Sequence, residues 1–225
     1  MINNKENWIW LSHITSENTP AYGGGSGFKI HKEKQTLNGD SCNTVSFEMS
    51  NHIGSHVDAP NHFIHSGKTV DDYYPEDWMF FKPLVIDIEL SVDRLININK
   101  LEVSLPSEIV DADFVIVNTG IGKFRDTDEF WKNSPIFSPE LCDYLISRFP
   151  SFKALGMDAI SLSSMNDRVL GRVAHKEFLG KGIRIFEDLN LSEFSKSQSL
   201  RKVIALPFRF KNADGSPVTV IGLLD

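Results

Sequence analysis

The sequence predicts a mixed α/β domain built on a central sheet. Short segments rich in Val, Ile and Phe recur along the chain and have the composition of buried strands. Two segments in the second half carry residues that start and stop helices. Because strands come first and helices come later, with some alternation, we expect a single α/β architecture.

Eight segments have strand composition. In chain order they are Trp8–Leu11, Gly27–His31, Thr44–Met49, Leu84–Ile88, Phe114–Asn118, Ile183–Phe186, Val203–Leu206 and Val218–Leu223. Pro83 stands directly before the fourth segment, and proline is tolerated at a strand entrance.

Two helices are predicted. The first has Ser138 as its N-cap and Pro139 at its first position, and apolar residues follow at helical spacing: Leu141, Tyr144, Leu145 and Phe149. The second runs from about Asp167 to Leu179 and is closed by Gly180 and Gly182.

Length and composition set the class of the protein. The 225 residues contain no internal repeat, low-complexity tract or linker, so we expect one domain over residues 1–225. A net charge of −7 argues against nucleic-acid binding. No apolar run approaches the roughly 20 residues that cross a bilayer, so no membrane partner is expected. The N-terminus lacks a signal peptide, and Cys42 and Cys142 read as free thiols, so we expect a cytoplasmic location.

The glycine run from Gly23 to Gly27 resembles a phosphate-binding loop only superficially. The Lys-Ser/Thr of a P-loop is missing, and a strand-like segment follows instead of a helix. A flexible turn is the better interpretation.

The segment S-N-H-I-G-S-H-V-D-A-P-N-H-F, residues 50–63, points most directly to function. It places His52, His56, Asp58 and His62 within eleven residues. Neutral histidine donates a nitrogen lone pair to a cation, and aspartate supplies a hard oxygen ligand. The alternative is a polar surface strand, but such a surface rarely excludes Lys and Glu so completely. The pattern therefore predicts a metal site.

The geometry of this segment limits its conformation. In a straight strand His52 and Asp58 would lie roughly 20 Å apart, too far to share an ion. A helix is disfavoured by Gly54 and by Pro60. We therefore expect a sharply bent strand-to-loop segment, with the bend permitted at these two residues.

His175 and Glu187 form a second candidate pair. A helix, a glycine turn and a short strand would bring these residues back to one locus. Taken alone, the pair has an equally good structural interpretation, with a satisfied helix histidine and a surface acid.

Four stretches resemble the metal-dependent cyclase/amidohydrolase family that includes bacterial kynurenine formamidase and isatin hydrolase. The histidine segment is similar to that family's H-x-G-T-H-x-D-x-P-x-H signature, with Ser55 in place of Thr. G-M-D-A-I-S, the spacing from His175 to Glu187, and A-L-P-F-R-F-K-N-A-D-G-S-P-V follow in the family's order. The resemblance extends from about Trp8 to Leu224.

The resemblance implies a swivelling β/β/α fold with a central mixed sheet, in a homodimer or higher homo-oligomer. It implies metal ligands at His52, His56, Asp58, His175 and Glu187, and a catalytic proton carrier at His62. For His62, a sixth ligand is the alternative. The implied cofactor is a divalent metal, zinc or manganese, with one or two ions per site.

The sequence departs from the family near the expected substrate. The W-P-G-D turn appears as Tyr22-Gly23-Gly24-Gly25, in which Tyr22 can still wall a planar substrate. Asn118 and Thr219 replace two arginines that would bind an anion bidentately or meet a partner subunit. The metal site is expected to be intact, while the identity of the substrate is left open.

The predicted function is metal-dependent hydrolysis of a non-peptide C–N bond in a small amide or cyclic imide. A metal-activated water would be the nucleophile, because a divalent ion lowers the pKa of water to about 7. The alternatives are a metal-dependent cyclase or dehydratase acting on a small carbonyl compound, and a non-catalytic metal-binding protein. The oxygen-rich ligand set without Cys favours an open catalytic site over a structural one.

Overall fold

The computed structural model describes residues 6–108, 110–195 and 198–225. Its strands are β1 (Trp8–Trp10), β2 (Lys29–Lys34), β3 (Thr44–Glu48), β4 (His56–Asp58), β5 (Met79–Phe80), β6 (Pro83–Asp87), β7 (Leu95–Ile96), β8 (Phe114–Asn118), β9 (Ile136–Phe137), β10 (Ala154–Met157), β11 (Arg184–Glu187), β12 (Leu200–Pro207) and β13 (Gly215–Leu224). Its α-helices are α1 (Ile98–Ser104), α2 (Asp128–Lys132), α3 (Leu141–Arg148) and α4 (Arg168–Gly180).

Nine of the strands within the described residues form one mixed sheet. Its order is β5-β12-β13-β4-β11-β10-β8-β6, and β1 adds to β13. Strands β11, β10, β8 and β6 run parallel, whereas β4, β13, β12, β5 and β1 pair antiparallel to their neighbours. The predicted mixed α/β fold with a central sheet is confirmed.

The sheet curls until its two edges meet. The edge strands β5 and β6 are separated by only two residues, 81 and 82, so the first and last positions of the sheet must lie side by side. The sheet therefore nearly closes on itself, and each strand has an inner and an outer face.

Alternating side chains build two separate cores. In β8, Phe114 and Ile116 point inside the curled sheet, where they pack with residues such as Phe80. Val115 and Val117 point outward and pack against the helices. This alternation explains why the strand reads as a continuous apolar run, since both of its faces are buried.

The helices differ in detail from the prediction. The second predicted helix is confirmed as α4, with Asp167 as an N-cap whose carboxylate accepts from the Leu170 amide. The first begins at Leu141, later than predicted, because Ser138 and Pro139 form a turn ahead of it. The longest helix of the described chain has 13 residues, and none is long and apolar enough to cross a membrane.

Candidate metal centre

The first half of the site is the bend that the sequence predicted. Gly54 has φ +62°, a left-handed conformation that glycine adopts without strain, and the chain then enters β4. Strand β4 carries His56 and Asp58, both buried in the middle of the sheet. Pro60–His62 follows as a short 3-10 turn. The bend thus aims alternate side chains of this segment at one locus.

The second half comes from α4 and β11. Register pairs Glu187 of β11 with His56 of β4, which places the Glu187 carboxylate 3.4 Å from the His56 Nε2 atom. His175, on the helix face above, lies 3.3 Å from Glu187 and 3.7 Å from Asp58 through its Nε2 atom. Leu162 N and Ser161 Oγ donate to Glu187 Oε1 at 2.6 and 3.1 Å and fix its orientation.

These groups fit a divalent cation. The Nδ1 atoms of His56 and His175 lie 2.8 and 2.7 Å from the carbonyl oxygens of Gly54 and Gly171, which assigns the Nδ1–H tautomer to both rings. In that tautomer each Nε2 presents a lone pair toward the buried carboxylates of Asp58 and Glu187. Acceptors facing acceptors in a buried site require a proton or a metal cation between them, and nitrogen with carboxylate oxygen is a donor set that zinc and manganese accept.

His52 joins this cluster from the other side of Asp58. Its Nδ1 atom is 2.8 Å from Asp58 Oδ1, so His52, His56 and Asp58 form one group of nearby donor atoms, and Asp58, His175 and Glu187 form another. Asp58 belongs to both groups, with its Oδ1 atom 2.8 Å from His52 Nδ1 and its Oδ2 atom 3.7 Å from His175 Nε2. The structure thus brings together all five residues predicted as ligands.

Asp214 is a site residue that the sequence analysis did not assign. Its Oδ2 atom lies 3.1 Å from His52 Nε2 and 2.9 Å from His62 Nδ1, and Asn51 donates to its Oδ1 at 2.7 Å. The adjacent Gly215 packs on the His52 ring, and a Cβ atom at this position would overlap that ring. The sequence offered one sign of this role: Asp214 is the first residue of the D-G-S-P-V motif, which lies in a segment that resembles the family.

His62 lies at the rim of the cluster. Its ring stacks on that of His52 with centroids 3.9 Å apart, and its Nδ1 atom bonds Asp214. It is more exposed than His56 or Asp58. A histidine with one nitrogen held by a carboxylate keeps its other nitrogen for proton exchange, which suits the role predicted for it.

A pocket of about 280 Å³ opens above these residues. Tyr22, Phe63 and Ile160 supply its apolar lining. The Tyr22 hydroxyl lies 3.1 Å from Ser163 Oγ, which seats the ring beside the metal cluster. The turn at Tyr22–Gly24 uses left-handed conformations at Gly23 and Gly24, as expected of a glycine turn.

Burial and charge oppose one another in the site. Burial lowers the pKa of His52, but hydrogen bonds to Asp214 and Asp58 outweigh it and raise that pKa to about 10. Burial raises the pKa of Glu187, but hydrogen bonds from His175 and His56 hold it below its usual range. The carboxylates are therefore ionised and require positive charge around them.

A buried ion pair between Arg125 and Asp188 lies next to the proposed ligand Glu187. Asp188, directly after Glu187, has φ +51°, and its carboxylate accepts from Arg125 at 2.6 to 3.0 Å. Its backbone oxygen accepts from Ser55 Oγ at 2.5 Å. The Ser55 bond links the residue before β4 to the residue after β11, and the ion pair holds Asp188 in place for it.

The two positions at which the family has arginine, Asn118 and Thr219 here, lie away from the pocket. Asn118 donates to Asp87 at the end of β8, at 2.7 Å. Thr219 is exposed on the outward face of β13. Neither lines the pocket above the metal cluster, so these departures leave its walls unchanged.

Comparison with known proteins identifies the family. The Cyclase family model, described as "Putative cyclase", matches residues 9–164. A kynurenine formamidase of Geobacillus thermodenitrificans is 30% identical over 211 residues, covering 94% of each chain. A kynurenine formamidase of Bacillus cereus is 26% identical over 219 residues, covering 95% of this chain and 96% of the relative.

Solved structures share the fold. Isatin hydrolase A from Labrenzia aggregata superposes with a TM-score of 0.79 at 21% identity, covering 96% of this chain and 93% of that one. Isatin hydrolase A from Ralstonia solanacearum gives a TM-score of 0.80 at 20% identity, covering 97% and 92%. The chain therefore belongs to the metal-dependent cyclase and amidohydrolase family that its motifs resemble.

Proposed function

We propose that this chain hydrolyses the C–N bond of an N-formyl aromatic amine or a cyclic aryl imide. The coarser activity, metal-dependent hydrolysis of a small amide, follows from kynurenine formamidase relatives and isatin hydrolase neighbours. The observation that carries the finer proposal is the buried His–Asp–Glu cluster at the base of a small pocket walled by Tyr22 and Phe63. A single aromatic ring with one amide suits that volume.

We assign the ligands to His52, His56, Asp58, His175 and Glu187. Zinc or manganese, with one or two ions, suits these nitrogen and carboxylate donors. When bound, such a metal supplies Lewis acidity and makes water nucleophilic near neutral pH.

The chain's own residues position the substrate and move the proton. His62, held at Nδ1 by Asp214, takes a proton at Nε2 from the attacking water and returns it to the leaving nitrogen. Tyr22 and Phe63 bind the aromatic ring. The Ser161 hydroxyl and the Leu162 amide donate hydrogen bonds that hold the Glu187 carboxylate in place, so this carboxylate does not need to reorient during turnover.

We propose that the partner of this protein is a small-molecule substrate, and that it binds neither nucleic acid nor a membrane. We also propose a cytoplasmic location and a homo-oligomeric assembly. Free thiols at Cys42 and Cys142 support a reducing compartment.

Metal analysis of protein purified without chelator, with hydrolysis of N-formylkynurenine and isatin measured with and without added Zn²⁺ or Mn²⁺, tests the proposal. Metal-dependent turnover of either compound supports it. Bound metal without turnover of either would contradict the substrate class, and failure to bind metal would contradict the whole assignment.

His62→Ala separates catalysis from metal binding. We expect turnover to fall by 10²-fold or more, the usual range for a lost general base, while metal content stays at the wild-type level. Loss of metal from this variant would make His62 a ligand instead.

A further inference from the structure

A chain of three hydroxyl groups leads from the metal cluster to the wall of the pocket. The Ser161 Oγ atom lies 3.1 Å from Glu187 Oε1 and 3.3 Å from Ser163 Oγ. The Ser163 Oγ atom lies in turn 3.1 Å from the Tyr22 hydroxyl oxygen. All three hydroxyl residues line the pocket, and both serines are buried. The direction of these hydrogen bonds therefore decides what the Tyr22 hydroxyl offers to a substrate.

The carboxylate at one end fixes that direction. Glu187 Oε1 accepts from the Leu162 amide at 2.6 Å and also from the Ser161 hydroxyl. A serine hydroxyl has a single hydrogen to donate. Because Ser161 gives its hydrogen to Glu187, the contact between the two serines requires Ser163 as the donor. Ser163 then has no hydrogen left for Tyr22, so the Tyr22 hydroxyl donates to Ser163.

The Tyr22 oxygen is left as an acceptor. A phenolic oxygen keeps its lone pairs when its hydrogen is given away. Within the described part of the chain, Ser163 is the one hydrogen-bond partner of this hydroxyl. Of the described residues that line the pocket, none is a lysine or an arginine, the side chains that donate without accepting. The lone pairs of Tyr22 are therefore open to a donor group on a bound molecule.

The turn that carries Tyr22 holds this oxygen in place. The Gly24 amide donates to the Ala21 carbonyl at 3.1 Å, and the Gly25 amide donates to the Tyr22 carbonyl at 3.2 Å. The Tyr22 ring packs beside Trp131, with ring centroids 6.3 Å apart. An acceptor that is already positioned costs little ordering when a ligand binds, so it is suited to recognition.

We propose that the Tyr22 oxygen accepts a hydrogen bond from an N–H or O–H group of the substrate and thereby determines specificity. This role rests on the proposed function and narrows its substrate class to aryl amides or imides with such a free donor. The tryptophan of the W-P-G-D turn carries only a donor, at its indole nitrogen. Tyr22 thus reverses the hydrogen-bonding polarity at this position of the turn. A substrate without the donor would leave the Tyr22 oxygen unpaired, which weakens binding.

Isatin and N-methylisatin are a matched pair that tests this contact, because methylation removes the N–H group. We would measure kcat/KM of both compounds for the metal-loaded wild type and for Tyr22→Phe, which keeps the ring and removes the oxygen. We expect wild type to favour isatin about tenfold, the size of one hydrogen bond between neutral groups, and Tyr22→Phe to favour neither compound by more than about twofold. Comparing this ratio between variants cancels the difference in reactivity of the two compounds.

Two further variants separate recognition from other effects. Tyr74→Phe removes the hydroxyl of an exposed tyrosine outside the pocket lining and should keep the wild-type preference. Ser163→Ala keeps the Cβ atom that packs against Gly171 but frees the Tyr22 hydrogen, so Tyr22 becomes able to donate as well as accept. We expect its preference for isatin to fall to about threefold or less, with a melting temperature close to that of wild type.

A binding measurement keeps the role of Tyr22 separate from the hydrolase proposal. Oxindole lacks the neighbouring carbonyl that activates the isatin amide, so it serves as a ligand rather than a substrate. By calorimetry we expect oxindole to bind wild type about tenfold more tightly than N-methyloxindole does, and the two to bind Tyr22→Phe equally. This binding preference without turnover of isatin would support the role of Tyr22 and contradict the proposed function alone. The same preference in wild type and Tyr22→Phe would overturn the role of Tyr22, whether or not isatin is hydrolysed.

Discussion

Asp214→Asn tests whether the carboxylate behind His62 contributes to proton transfer. The Asp214 Oδ2 atom lies 2.9 Å from His62 Nδ1, a charge-assisted hydrogen bond. The His62 side chain is 29% exposed and that of Asp214 37%, so solvent screens the bond and its value falls to about 1–2 kcal/mol. The substitution keeps the shape and removes the negative charge beside the His62 ring. We expect kcat to fall about 5- to 30-fold, with KM little changed.

Steady-state kinetics with metal analysis on the same preparation checks this expectation. Asp128→Asn is the matched control, because Asp128 is an exposed carboxylate that pairs with Lys132 on its own helix and touches no site histidine. A kcat within twofold of wild type for Asp214→Asn would refute the reasoning. Loss of metal from that variant would also contradict the role given to Asp214, because it would show that Asp214 is a metal ligand.

Three further predictions follow from other contacts. Glu187→Gln removes a buried charge among the proposed ligands, and we expect metal content measured by mass spectrometry to fall at least tenfold, whereas Glu193→Gln should have no effect. Burial and then the Arg125 charge lower the pKa of His13 to about 4, so between pH 6.5 and pH 4 the unfolded state binds the His13 proton more readily and stability falls as pH falls. In urea titrations, the stability of wild type relative to His13→Asn should therefore decrease by about 1 kcal/mol between pH 7 and pH 5, and an unchanged difference would contradict this. Arg125→Lys keeps the charge but loses the bidentate bond to buried Asp188, and should lower the free energy of unfolding by about 1–2 kcal/mol.

The sequence predicted those parts of the fold whose cause is local. The bend at Gly54 follows from the spacing of ligands within one short segment, and the start of α4 follows from the Asp167 cap. The pairing of His175 with Glu187 was undecided from the residues alone, and the family resemblance resolved it. The structure shows its cause: β11 lies beside β4, which brings Glu187 opposite His56.

Closure of the sheet could not be predicted in the same way. Strand β5 has two residues and no periodicity to detect, yet it forms the edge that meets β6. Strand β10 reads as part of the G-M-D-A-I-S motif, and its pairing with β8 and β11 depends on the surrounding sheet. Short strands of this kind are stabilised by neighbours distant in sequence, so local composition says little about them.

Asp214 shows why the site itself was only partly predictable. Its Asp-Gly pair has the local composition of a turn. Its position depends on the antiparallel register that sets Gly215 against Asp58, with the Ala59 amide donating to the Asp214 carbonyl at 2.8 Å. That register brings a carboxylate to His62 across 152 residues, and the absence of a side chain on Gly215 leaves room for the His52 ring. A turn-like dipeptide therefore becomes part of the site only because β13 and β4 pair, and substitutions at these two residues should act on the orientation of the histidines.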